Sequence, residues 1–570
     1  MLGNQNGVAD VKARQAAEQA REGAKAYADG DWAKALTCYF MALALAPDNL
    51  NYLHTAVSLI GVTGGYALPS IIKNILGDAA QASDFNWQAL ATAVHSEFIY
   101  DPLSREFMEL ACGGGDALEA GLRGSKFDSV LNDALLRAVL QRAVIISPAV
   151  ETLLTDLRRH ALERCVEGRP SCLMDLRIDF LASLAAQCFN TEYAFDVGDD
   201  EKALLETILR SGPPSDPGKI VLIAAYRPLF KIFGESTPVA AGHAALEHLQ
   251  RQQITEPRRE KQIEVELPVL TPIASEFSGR MQQQYESFPY PRWFAVDYAK
   301  ARPFKQVIEE RFPDLRFGTL PEEGVDVLIP GCGTGHQVAL VASLFRNSRI
   351  TAFDLSRTSL AYAKRKLDET GMMLKRFGQG DILAAADWEE QFDYIECMGV
   401  LHHLEDPAQG LDVLTGLLKP SGIVRLGLYS ARAREYIDKA RQLVADHDLP
   451  HTADGVRAAR RLIAASPPDD PVREVMESQD YFSIGGLHDL IFNVHECRYT
   501  PLALKQLLDD AGLEFLGFDH ANPGVTVGYR ERFPDDTAQR DLTNWETFDI
   551  EFPDTFGGMY QFWCRPADTA

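Results

Sequence analysis

Apolar residues recur along this chain in two different rhythms. Through about residue 250 they fall three and four apart, the spacing that gathers them on one face of a helix. Leu153, Leu154, Leu157 and Leu162, behind Ser147-Pro148, predict such a helix, with a serine cap and proline in the first turn. From about Val325 onward, short β-branched runs alternate with helical stretches, which predicts an α/β domain built on a parallel sheet. Val325 to Pro330, Ile350 to Leu355, Phe392 to Met398, Gly422 to Tyr429, Leu513 to Asp519 and Met559 to Trp563 read as strands, with a further short one before Asp381. Seven strands with intervening helices suit a doubly wound, Rossmann-like sheet that takes its ligand at the strands' carboxyl ends. Between the two rhythms, the charged run Arg258-Arg259-Glu260-Lys261 and the proline-punctuated stretch Leu267 to Pro272 predict a linker. The expected organisation is an α-helical domain over 1–250, a linker and lid over 251–320, and an α/β domain over 321–570 with an insertion at about 431–499.

Over 16–49 the residues Gly23, Tyr27, Gly30-Asp31-Trp32, Ala35-Leu36, Tyr39, Ala42-Leu43, Leu45, Pro47 and Asn49 resemble one tetratricopeptide repeat position by position. Small residues let two antiparallel helices approach, aromatics fill their seam, and Pro47 ends the second. One repeat cannot bury its own apolar face, so helical partners must follow it. No second clean repeat is evident downstream.

The first strand of the second half runs into Pro330-Gly331-Cys332-Gly333-Thr334-Gly335. Glycines are needed where a backbone turns tightly and a ligand lies against it. Taken alone, the turn leaves dinucleotide and other nucleotide cofactors open. A dinucleotide fingerprint would read G-x-G-x-x-G, whereas here His336 occupies its last glycine position, which disfavours nicotinamide. The next run ends in Asp354-Leu355, roughly twenty residues on, where a carboxylate can accept both ribose hydroxyls; the same residue could instead cap the following helix. With Gly380-Asp381-Ile382, the run Phe392 to Leu404 and Leu418 to Gly422, the chain from Val325 to Trp563 resembles the class I S-adenosylmethionine-dependent methyltransferases. That resemblance implies S-adenosyl-L-methionine as cofactor. It puts Asp381 on the adenine amino group, Ile382 on the ring, Met398, Gly399, Val400 and Leu401 along the methionine side, and His403 at the closure of the pocket. The family's usual acid two residues before the first glycine is replaced here by Ile329.

On the acceptor side, the cluster Tyr285 to Trp293 offers Tyr285, Tyr290, Arg292 and Trp293 as substrate-binding groups, either as a lid or as an aromatic plug on the end of the sheet. The insertion is longer than a simple connection requires. Its Asp489, His495 and Glu496, and His402 outside it, are candidate acid/base groups, because histidine titrates near neutrality and a neighbouring carboxylate can hold its tautomer. A capped helix with a solvated polar face is the alternative for the insertion. The adjacent His402 and His403 are expected to point apart, so no metal site is expected.

Composition narrows the function. The formal net charge of −25 argues against a nucleic-acid partner. Nine scattered cysteines without a C-x-x-C pair suit a reducing, cytoplasmic location, and no apolar run approaches a membrane span. The expectation is a methyltransferase whose helical domain recruits a protein or peptide acceptor. A small metabolite or glycan acceptor, and a non-catalytic repeat scaffold with a relic sheet domain, are the alternatives.

Overall fold

The helical rhythm of the first half folds as helices, beginning with Gly3–Ala28, Trp32–Leu45 and Leu50–Thr63. The computed structural model describes residues 3–63, 68–79, 87–210, 212–234, 236, 244–294, 296, 301–520 and 523–567. They divide into two units, Met1–Arg258 with Phe294–Asp297 and Met476–Ile484, and Arg259–Trp293 with Tyr298–Val475 and Gly485–Ala570.

In the first unit, Asp31 caps Trp32–Leu45 by accepting from the Lys34 amide at 3.1 Å. A Cβ on Gly23 would come within 2.9 Å of the Tyr39 ring, so a larger residue there would push the first two helices apart. Ser147 caps Pro148–Val166 by accepting from the Val150 amide at 3.3 Å. Arg158 on that helix is fully buried. Its guanidinium donates to the carbonyls of Asp196 (2.7 Å) and Ala225 (3.3 Å), with Glu201 at 3.8 Å and the Tyr226 ring beneath it. A charge this deep is tolerable only with such partners. Met476–Ile484 groups with this unit, the Ile484 amide donating to the Thr191 carbonyl at 3.3 Å, so Asp480 to Ser483 of the insertion do not belong to the sheet unit.

The charged run Arg258 to Lys261 is helical, within Glu256–Glu266. Arg357 closes the carboxyl end of this helix by donating to the carbonyls of Glu264 (3.0 Å) and Leu267 (2.9 Å).

The second unit is built on seven strands, β1 (Asp326–Pro330), β2 (Arg349–Asp354), β3 (Arg376–Gln379), β4 (Phe392–Met398), β5 (Leu418–Tyr429), β6 (Leu513–Asp519) and β7 (Met559–Pro566). Their order is β3-β2-β1-β4-β5-β7-β6. β1 pairs in parallel with both β2 and β4, so the chain reverses direction across the sheet between β1 and β4. That reversal opens a crevice at the carboxyl ends of the strands. The sheet is mixed, not wholly parallel: β7 runs antiparallel to both β5 and β6 and fills the place between them. Beside this edge, Phe518, Tyr529, Trp545, Phe556 and Tyr560 form a buried aromatic cluster. Among the described residues, no helix is long and apolar enough to cross a membrane.

Candidate active site

The turn after β1 carries three glycines in the left-handed region, Gly331 (φ 65°), Gly333 (φ 51°) and Gly335 (φ 83°), and leads into the helix His336–Leu344. It is stitched to β2, the Cys332 amide donating to the Phe353 carbonyl at 3.0 Å and the Gly333 amide to Asp354 Oδ2 at 2.8 Å. Burial pushes the Cys332 thiol well above its ordinary pKa, which leaves it an inert packing group. A Cβ on Gly331 would sit 2.5 Å from a Val400 methyl, so Val400 packs on the turn only because Gly331 has no side chain. Gly331→Ala is therefore expected to destabilise the chain by about 1–3 kcal/mol, from the left-handed backbone and the clash together. An unchanged urea midpoint would refute this packing.

Asp354 ends β2 with both carboxylate oxygens fixed. Oδ2 accepts from Gly333 and Oδ1 from the Ser356 amide, each at 2.8 Å. Burial raises its pKa from 3.8 to about 6, and the nearby Glu286 adds to the rise. The adjoining Leu355 carbonyl accepts from Gln379 Nε2 at 2.9 Å. Asp381 is fixed in the same manner, Oδ1 accepting from the Leu383 amide (3.0 Å) and Oδ2 from the Ala274 amide (2.9 Å), with Ile382 buried beside it. Thr271 braces the loop by accepting from the Asp381 amide at 2.7 Å. Beyond β4, Gly399 (φ 73°) donates its amide to the Gly427 carbonyl at 3.1 Å, which turns the chain just past Met398. Each oxygen of Asp354 and Asp381 has accepted one backbone hydrogen bond and retains a lone pair for another. Two oriented carboxylates at neighbouring strand ends, beside a turn without side chains, suit a ligand with a diol, an exocyclic amine and a flat ring. That is the chemistry of an adenosyl group.

Next to this crevice lies a second group of residues. Tyr285, on the helix Glu276–Ser287, donates its hydroxyl to Asp489 Oδ1 at 2.9 Å, and Asn493 Nδ2 reaches the same oxygen at 3.2 Å. Burial, and then Asp489, push the Tyr285 hydroxyl well above its ordinary pKa. His403 stands with its ring centroid 6.4 Å from that of Tyr285, and its Nδ1 lies 2.8 Å from the His495 carbonyl.

Several expected roles change in this setting. His402 and His403 do not point apart, because both lie on the short 3-10 turn Leu401–His403 with centroids 4.3 Å apart. His402 is wholly buried, stacked 3.8 Å from Tyr429, and burial drives its pKa well below the ordinary value, so it is a packing ring with no access to an acceptor. Glu496 is clamped by Arg434 (2.9 Å) and Arg498 (2.6 Å), which outweigh burial and hold its pKa below the ordinary range, leaving it a poor base. His495 has neither carboxylate as its partner: its Nε2 is 3.3 Å from Cys497 Sγ, and its ring packs edge-on against Phe277. Of the proline cluster, Trp293 is buried and donates Nε1 to the Thr334 carbonyl at 2.6 Å, bracing the glycine turn instead of facing an acceptor. Arg292 lies over the Tyr362 ring, and the Tyr290 carbonyl abuts Gly333.

Glu286 was not apparent from the sequence. Its carboxylate accepts from the amides of Arg357 (2.8 Å) and Thr358 (3.0 Å), so it caps the helix Arg357–Glu369 beside Asp354. Its place next to Tyr285 in the chain is the signal that could have found it.

Residues 328–424, which span β1 to β5, match the family described as a methyltransferase domain. The matched stretch lies wholly within the sheet unit. An uncharacterized protein of Synechococcus sp. is 30% identical over 238 residues, 39% of this chain and 55% of that protein. A ubiquinone biosynthesis O-methyltransferase of Stutzerimonas stutzeri is 29% identical over 113 residues, 20% of this chain and 48% of that protein. The chain thus spans about half the length of the curated relatives it matches. Among solved structures, PKMT2 from Rickettsia typhi, in complex with AdoHcy, is 17% identical with a TM-score of 0.39, the match covering 50% of this chain and 56% of that one.

Proposed function

We propose that the sheet unit transfers a methyl group from S-adenosylmethionine to an acceptor placed beside Tyr285, His403 and Asp489, and that the helical unit recruits this acceptor as a protein or peptide. The observation that carries the reading is Asp354, a carboxylate fixed at the end of β2 by two backbone amides, with a lone pair free on each oxygen. It would accept from the ribose hydroxyls, and Asp381 from the adenine amino group, with Ile382 against the ring. Gly331, Met398, Gly399 and Val400 would flank the methionine end, where Ile329 is buried and supplies no carboxylate. Bound there, S-adenosylmethionine supplies a methyl group already activated on a sulfonium. The work left to the protein is to align the acceptor and exclude water. Tyr285, fixed by Asp489 and Asn493, serves alignment. Recruitment by the helical unit is supported by the exposed Tyr27, Met41 and Leu50 on its first three helices, apolar groups of the kind that hold a peptide.

Calorimetric titration with S-adenosylhomocysteine is expected to give saturable binding in the micromolar range, and no heat from folded protein would sink the enzyme reading. Labelled S-adenosylmethionine and a cell lysate should then place label in protein. Label confined to small molecules would exclude a protein acceptor.

A further inference from the structure

Where β5 ends, Tyr429 leads into a cluster of three arginines. Arg434 lies with its guanidinium 3.6 Å from the centre of the Tyr429 ring and grips Glu496 with Nη2 (2.9 Å) and Nε (3.2 Å). Arg498 donates to Oε1 of the same carboxylate, the oxygen that also accepts from Arg434 Nε, through its own Nε at 2.6 Å, and reaches the exposed Asp438 with Nη1 at 2.6 Å. Arg441, on the helix Glu435–Asp446, donates Nη2 to the Asn493 carbonyl at 2.9 Å. Its Nη1 is enclosed and has no hydrogen-bond partner among the described residues, since Glu496, at 3.7 Å, is beyond hydrogen-bond reach and already engaged by the other two arginines. Three guanidiniums therefore meet two carboxylates within ion-pair distance, with Asp489 acting on Arg434 from further off, and the Arg441 Nη1 is the donor left without an acceptor. An enclosed guanidinium N–H without an acceptor is unfavourable enough that native proteins seldom keep one without a reason. Burial, with the neighbouring Arg498 and Arg434 adding to it, holds the Arg441 pKa below its ordinary value against the opposing pull of Glu496.

The cluster also adjoins the site. Asn493, whose carbonyl receives Arg441, contacts Asp489 and the Tyr285 hydroxyl through its side chain, and Tyr429 stacks on His402. Arg441 keeps 27% of its side-chain exposure, so the edge of this side chain lies at solvent although Nη1 itself is enclosed.

We propose that the methyl acceptor carries a carboxylate and that Arg441, supported by Arg434 and Arg498, binds it. This deepens the function proposed above and rests on it. A single unmatched guanidinium fits a monoanion, and a carboxylate presents two oxygens to the guanidinium fork.

The test uses the full chain and benzoate, benzamide and inorganic phosphate as probes at fixed ionic strength, followed by calorimetry with and without S-adenosylhomocysteine. Benzoate is expected to bind saturably and benzamide not at all. Arg441→Gln should weaken benzoate at least about tenfold, and Arg441→Lys should recover only part of the loss because the fork is gone. Both variants should keep wild-type affinity for S-adenosylhomocysteine, which shows that they are folded. Benzoate binding that equals benzamide binding, or that survives Arg441→Gln, would overturn the proposal, as would phosphate binding tighter than benzoate. If the wild-type chain binds benzoate but not S-adenosylhomocysteine, it is the methyl-transfer reading that fails.

Discussion

Replacing Asp354 with alanine is expected to weaken S-adenosylhomocysteine binding at least about 100-fold, since hydrogen bonds to a charged acceptor contribute roughly 1.5–3 kcal/mol each and a ribose would lose two. The protein itself should tolerate the change, because a carboxylate whose pKa burial has raised to about 6 destabilises the fold when ionised. That shift also sets a pH dependence. The folded pKa lies above the ordinary 3.8, so between those values the folded, ligand-free chain holds a proton that the unfolded chain has lost. Stability therefore gains from this group as pH falls through 6. Ligand affinity moves the opposite way: a protonated Asp354 loses acceptor capacity, and binding should fall by about tenfold per unit below pH 6. In Asp354→Ala the residual binding should be flat over that range. Wild-type affinity that stays constant from pH 7 to pH 5 would mean that Asp354 is not the group that meets the ligand.

The parts of this site that were legible in the sequence are those whose geometry is set by near neighbours. A strand, a glycine turn and an acid at the end of the next strand lie within some thirty residues of one another, from Asp326 to Asp354, and parallel pairing of β1 with β2 brings them together. The same locality made the Ser147 cap and the Gly23–Tyr39 contact readable. What could not be read depends on distant partners. Tyr285 meets Asp489 across 204 residues, and Arg434 meets Glu496 across 62, so neither the fixing of Tyr285 nor the grip of Arg434 on Glu496 leaves a mark in either local segment. Glu496 reads as a base because its charge is visible while Arg434 lies 62 residues away; Arg498, two residues on, is the local sign of its neutralisation. Trp293 looked like a substrate platform because an exposed aromatic and one bonded to the Thr334 carbonyl have the same sequence. The direction of β7 is hidden for a similar reason: its composition suits a strand in either direction, and its pairing with the distant β5 and β6 sets it antiparallel.

Arg425→Met should be among the most damaging single changes in the sheet. Glu396, two residues before the end of β4, is almost fully buried, and Arg425 on β5 supplies its charge partner at 3.1 Å while also reaching Asp519 and Gln561, each at 2.9 Å. The Tyr394 hydroxyl is the other donor to that carboxylate. Removing one member of a buried pair leaves the other charge uncompensated, which costs about 3–5 kcal/mol. The sign of the pH dependence follows from Glu396. Burial already holds its pKa above the ordinary 4.5 even with Arg425 opposing, and without Arg425 it climbs further. The folded variant then keeps a proton that the unfolded chain releases above about pH 4.5, so its stability deficit is greatest at neutral pH and above, and shrinks as pH falls toward that value. Glu396→Gln in the Arg425→Met background should restore most of the stability at pH 7 and flatten the profile, because the buried charge is then absent in both states. Urea unfolding of the three chains at pH 5 and pH 8 measures this. A loss below about 1 kcal/mol, or one independent of pH, would show that solvent reaches Glu396 despite its burial, and that the pair does not hold β4 where it ends at Met398.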